Sequence, residues 1–174
     1  MSLGVCLLFD GRSDPAVRNL WDQLEEKGVS TLRSHTHGQH HPHLSYVVLL
    51  EWDLDSVRDA VENVADHDAF EVTFDALGTF RRGRASLIPA VRADLVARQE
   101  AVVEAVRATG ALVHKHYEIG RWLPHSLLAP RVRTEWLPVL AATAYAILPL
   151  TVTVDRAALI DSATGRLWPL RNVP

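Results

Sequence analysis

The sequence predicts an α+β fold: a single bilobal domain over residues 1–174, with two pseudo-symmetric βαβ-like lobes whose antiparallel sheets face each other across a central cleft. Three observations predict it. Apolar runs of strand length alternate with segments whose apolar residues recur at helical spacing. The order helix, Pro-His strand, helix, hairpin occurs twice, in a first half of about 1–90 and a second of about 91–174. Each half also opens a strand with one histidine, His43 and His125, 82 residues apart. Packing of the halves about a pseudo-twofold axis brings that pair into the shared cleft.

Taken in order, Leu3–Phe9 is an apolar run that reads as a buried strand, ended by the turn-forming Asp10–Pro15. Asp14 before Pro15 is a helix start, with Asp14 as cap and proline in the first turn. The helix carries Val17, Leu20, Trp21 and Leu24 on one face and stops near Gly28. A histidine-laden stretch, Ser34–His41, leads to Pro42 and the strand His43–Trp52. Asp53 or Asp55 caps a second helix with Val57, Val61 and Val64 inward. Phe70–Phe80 reads as a strand, Arg81–Arg84 as a basic turn and Ala85–Ala90 as its hairpin partner.

The second half follows the same plan. Val91–Thr109 is a helix closed by Gly110, Ala111–Trp122 a short strand or loop, and His125–Val132 the second Pro-His strand. Thr134 caps a helix, Glu135–Ala146, that tolerates Pro138 only in its first turns. Leu150–Ser162 and Arg166–Leu170 are the last strands. Val72–Asp75 matches Val152–Asp155 in sequence at a spacing of 80.

Composition narrows the function. The net charge of −3 argues against a protein that coats DNA through a general basic field. No apolar run approaches the roughly 18 residues that span a bilayer, and no secretory leader is expected. Cys6, the single cysteine, sits in the first strand and reads as an inert core residue, and a chain with no disulfide to form suits the cytoplasm. The basic residues are almost all arginine, whose planar fork suits phosphate but also follows from codon bias.

Strand alternation puts His43 and Ser45 on one face. A histidine beside a hydroxyl on a rigid strand suits phosphate-ester chemistry, because imidazole moves protons near neutrality and the hydroxyl holds a phosphoryl oxygen. His35, His37, His40 and His41 crowd the preceding loop; a zinc or copper site drawn from His37, His41 and His43 is the alternative, although Glu51 lies too far along the strand to complete a cupin-like set. Arg81, Arg82 and Arg84 read as a solvated hairpin tip. Arg121, just before the second Pro-His, is the better rim cation, and Tyr117 or Trp122 offers a ring for a nucleobase.

Pro42–Ser45 and Trp122–Ala129 carry a resemblance to a known family. They resemble the two His-x-Thr/Ser motifs of the 2H phosphoesterase superfamily, which includes LigT-like 2′-5′ RNA ligases and cyclic nucleotide phosphodiesterases, and Phe74–Phe80 and Val152–Ile160 resemble the strands that follow each motif. The resemblance implies a metal-independent enzyme, without cofactor, acting on 2′,3′-cyclic phosphate or 2′-5′ linkages. It implies His43 and His125 as acid and base and a small cyclic phosphate, nucleotide or RNA end as ligand, for which Ser45, Arg121 and Tyr117 are the expected substrate contacts. One position departs: Leu127 stands where the second motif has a hydroxyl, and Ser126 beside it faces away unless a bulge turns it inward. That departure leaves open a weakened, ligand-binding descendant of the fold.

Overall fold

A computed structural model describes residues 2–174. The chain runs β1 (Leu3–Phe9), α1 (Ser13–Glu26), β2 (His43–Glu51), α2 (Leu54–Glu62), β3 (Phe70–Phe80), β4 (Arg84–Pro89), α3 (Ala93–Ala108), β5 (Leu112–Val113), β6 (Ser126–Ala129), α4 (Leu137–Tyr145), β7 (Leu150–Asp161) and β8 (Leu167–Pro169). The fold is α+β and every strand pairing is antiparallel. The two wings are not separate sheets. Their strands join in one open sheet of order β5-β2-β1-β7-β3-β4-β6, with β8 added to β7.

Local chemistry sets most boundaries. All seven residues of β1 are buried, as an uninterrupted apolar run requires of a central strand. The cap of α1 differs from the expected one: Asp10, not Asp14, receives the amides of Arg12 and Ser13 at 3.2 and 2.7 Å. Asp14 instead lies inside the first turn and pairs with Arg18, four residues on, at 2.5 Å. Asp53 is the cap of α2, accepting from the amide of Ser56 at 2.9 Å. No side chain caps the second-half helix, and Thr134 begins a single 3₁₀ turn (Thr134–Trp136) ahead of it.

Two long strands tie the wings together. Residues 154–161 of β7 pair with β1, while residues 150–154 pair with residues 70–74 of β3. Val72 lies opposite Val152, so the pseudo-twofold axis passes between residues that are themselves 80 apart. The units related by this axis are 3–80 and 84–161, each built on a β-α-β-α-β plan to which the second adds the two-residue β5, with the turn at Arg81–Gly83 between them. Each wing takes two strands from one unit and its third from the other: β2-β1-β7 on one side, β6-β4-β3 on the other. The helices cross over likewise, α1 packing on α4 and α2 on α3.

The irregularities repeat as faithfully as the strands. The β1–β2 register shifts at Tyr46 and the β4–β6 register at Leu128; the β1–β7 register shifts at Asp155 and the β3–β4 register at Asp75. These bulges bend the strands at equivalent points, and β2 and β6 consequently come to lie beside one another. The core fills the helix-covered face with Leu7, Phe9, Trp21, Leu44, Phe74, Leu87, Val103 and Leu128 among others. Cys6 and Leu8, alternating with core residues of β1, stand outside that cluster on the other face.

Candidate active site

That second face carries the candidate residues. In the first wing Leu8 lies opposite His43 and Cys6 opposite Ser45. In the second, Ser86 lies opposite Leu127, two residues along the same face from His125. The segment between β5 and β6 carries Tyr117, Trp122 and His125, and closes over the edge of β2. The indole of Trp122 donates to the carbonyl of Ser45 at 3.0 Å. The buried side-chain amide of Gln99 donates to the carbonyls of Tyr46 and Tyr117 at 3.2 and 2.8 Å. Carbonyls of β2 beyond its short pairing with β5, and that of Tyr117, are thus used to fix the far side of the site.

His43 and His125 are held alike. Nδ1 of His43 lies 2.6 Å from the carbonyl of His41, and Nδ1 of His125 lies 2.8 Å from the carbonyl of Leu123. A carbonyl only accepts, so each Nδ1 carries the proton and Nε2 is left for chemistry. Their surroundings then pull them apart. Burial works against the charged form of His43, but the charge and hydrogen bond of the neighbouring Cys6 sulfur and the His41 carbonyl outweigh it, pushing the group up to about 9. Burial lowers His125; the Leu123 carbonyl opposes this, while the charges of His43 and Arg84 push the same way as burial. Burial and the charge of Cys6 push the Tyr117 phenol up to about 12, partly offset by Arg84 and by a hydrogen bond to Ser45.

Four of the five expected site residues therefore meet: His43, Ser45, Tyr117 and His125. The Tyr117 ring is 6.3 Å from that of His125, and Phe80 stands against the other side of that imidazole at 5.3 Å. Arg121 is exposed in the turn before Trp122, and the cation that acts on His125 and Tyr117 is Arg84. Arg84 is the first residue of β4 and is exposed, as expected of the hairpin tip, yet its charge reaches both rings. Cys6 is buried as expected, yet on the cleft floor beside Ser45, Sγ to Oγ 3.5 Å. Trp122 is committed to holding β2, its ring 5.9 Å from Tyr46. The bulge in β6 comes after Leu127, so Ser126 faces the core beside Leu87.

The histidine loop takes a separate course. The His37 ring lies tilted 4.2 Å from that of His40 and against Gly165, while His41 receives the Arg18 guanidinium at 3.2 Å. Burial, with His37, His43 and His35 nearby, lowers His40 to about 4. Among the described residues no three histidine, cysteine or carboxylate side chains converge as a metal site. No helix of the described residues is long and apolar enough to cross a membrane.

The open antiparallel sheet with its four helices is similar to the fold of LigT. A phosphoesterase crystal structure matches with a TM-score of 0.59 at 14% identity, covering 98% of this chain and 95% of its own. Escherichia coli LigT complexed with NADP+ gives 0.60 at 13% identity, over 97% and 94%, and the same protein with 3′-AMP gives 0.55 at 12%, over 98% and 98%. The family model of the 2′-5′ RNA ligase superfamily matches residues 13–166, and the chain belongs to that superfamily. No curated protein matches the sequence.

Proposed function

We propose that the protein is a 2H-type phosphoesterase that opens 2′,3′-cyclic phosphates or cleaves 2′-5′ phosphodiesters, with His125 as general base and His43 as general acid. The observation that supports this reading is that His43 and His125 are tethered alike through Nδ1 on one face of the sheet, each with Nε2 free, while their surroundings raise the first and lower the second. Pairs of titratable groups driven apart by their surroundings are the usual mark of an acid and base assignment.

In this reading Nε2 of His125 takes a proton from water as its oxygen attacks phosphorus. The bond from phosphorus to the ribose 2′ or 3′ oxygen breaks, and Nε2 of His43 protonates the departing oxygen. A phosphomonoester and a free hydroxyl result; with an RNA 5′-hydroxyl attacking the 2′,3′-cyclic phosphate in place of water, the same displacement joins RNA ends, the ring P–O bond breaking as the new one forms. Ser45 holds a phosphoryl oxygen, Arg84 faces the developing negative charge, and Tyr117 closes the site. No metal or cofactor enters the scheme, and the free Cys6 suits a reducing, cytoplasmic setting. E. coli LigT, which shares the fold, has been crystallised with 3′-AMP and with phosphate, which supports a nucleotide or RNA end as the ligand.

The test is turnover of a panel of 2′,3′-cyclic nucleotides and 2′-5′-linked dinucleotides. Chelator-insensitive hydrolysis of at least one member is expected. Binding without turnover across the panel sinks the enzymatic reading in favour of a ligand-binding descendant.

A further inference from the structure

The second His-x-Thr/Ser motif lacks its hydroxyl, yet a serine stands one strand away. Ser86 on β4 is the cross-strand partner of Leu127 on β6. Partners in register share a face, so Ser86 lies on the face that carries His125. Ser86 is completely buried, and its Oγ has no hydrogen-bond partner in the protein. An unpartnered buried hydroxyl calls for an explanation, a missing ligand among them.

The pseudo-twofold axis sharpens this. Leu8 pairs with Arg156 on β7, and Ile88 pairs with Ala76 on β3, so β1 and β4 correspond at a spacing of 80. Cys6 therefore corresponds to Ser86, and Ser45 to Leu127. In the first wing the hydroxyl is on the histidine strand with sulfur across from it. In the second the hydroxyl is across, with an aliphatic side chain on the histidine strand. The two cross-strand pairs thus hold one hydroxyl each, on opposite members.

We propose that Ser86 supplies the phosphate-directed hydroxyl of the His125 wing in place of the missing motif residue; this rests on the phosphoesterase reading above. Because Ser86 is completely buried, substrate reaches it only when the side chains around it move aside.

The experiment measures hydrolysis and thermal stability for Ser86→Ala, Leu127→Thr and the double variant. Ser86→Ala is expected to lower kcat/KM about tenfold, as loss of one hydrogen bond to a charged oxygen does. Its melting temperature should hold or rise, because the change removes an unsatisfied group. Leu127→Thr alone should change turnover by less than about threefold, and in the Ser86→Ala background it should restore most of the loss by returning a hydroxyl to the same pair. Full activity in Ser86→Ala overturns the proposal. So does a loss that tracks instability and resists Leu127→Thr. Should the wild type turn over no substrate, the phosphoesterase reading fails by itself, and calorimetric binding of 2′-AMP decides Ser86. Weakening by Ser86→Ala with rescue by Leu127→Thr then supports it, and unchanged affinity overturns it.

Discussion

The wing that carries His43 and the wing that carries His125 share strand pairing and bulge positions but not the side chains around the histidine. Both hold their histidine by a carbonyl two residues back, and both bulge at equivalent positions. What differs is the floor. Along the floor of the His43 wing stand Gly4, Cys6 and Ser45, with Leu8 opposite His43; at the equivalent positions of the His125 wing stand Arg84, Ser86 and Leu127. The sulfur favours the imidazolium, and the guanidinium disfavours it. On the proposed reading, the two halves supply two histidines tethered alike, and the difference in the floor assigns one as acid and the other as base. Gly4 also shows why the cation appears on one side only, since a Cβ there comes within 2.9 Å of the Cys6 sulfur.

The largest expected effect removes the carriers themselves. His43→Ala and His125→Ala should each lower kcat on a natural diester about 10²- to 10⁴-fold, the usual worth of a positioned acid or base. A diester with a nitrophenolate leaving group needs no proton on departure, so it should restore turnover to His43→Ala and not to His125→Ala. Rescue of the other variant instead would exchange the two roles.

Next comes Arg84. Arg84→Met should cost about ten- to a hundredfold in kcat/KM by removing a cation aimed at the developing charge. It should also shift the acid limb of the pH profile upward, since His125 loses a neighbour that disfavours its proton. An unmoved acid limb would place Arg84 outside the site.

A smaller effect belongs to Cys6. With His43 needed charged and His125 neutral, kcat/KM should fall on the acid side at a pH below 6.5 and on the alkaline side near 9. In Cys6→Ala the alkaline limb should retreat toward neutrality with the acid limb unchanged. The stability linkage has the same sign. A histidine raised in the fold contributes fully below pH 6.5 and loses that contribution as pH rises through about 9, so wild type should lose melting temperature across this window more than Cys6→Ala does. Two titration curves with equal alkaline slopes would show that the sulfur does not hold the proton.

Smallest is Trp122→Phe, which leaves the Ser45 carbonyl without its donor and should cost roughly 1 kcal/mol of stability in denaturant unfolding. A neutral result would mean that water takes the place of the indole.

Much of this arrangement was legible in the residues. Leu3–Phe9 and Phe70–Phe80 have the bounds their apolar runs suggested, because turn formers or charges flank each run. The pair of histidines followed from the Pro-His repeat. The exchange of third strands was not legible, since local periodicity says that β7 is a strand and nothing about which strand, 150 residues earlier, lies beside it. The same gap hid Arg84 and Ser86. Alternation with Ala85 and Leu87 puts them on one face, but only the partner strands tell that this face holds His125. The helix start went to Asp14 for its proline neighbour, whereas Asp10 already sat where the turn aims a carboxylate at free amides.

The placement of β7 has a consequence for how the molecule is made. β7 lies at the middle of the sheet yet is the last long strand to be synthesised. At roughly 5–20 residues per second, the 80 residues between the ends of β3 and β7 take several seconds to emerge. Throughout that interval β1 has β2 on one side and an open, wholly apolar edge on the other, the kind of edge that recruits strands from neighbouring chains. The growing polypeptide is therefore most exposed to misassociation while its first histidine is already in place and its second wing is incomplete. Any truncation ahead of Leu150 makes that passing hazard permanent.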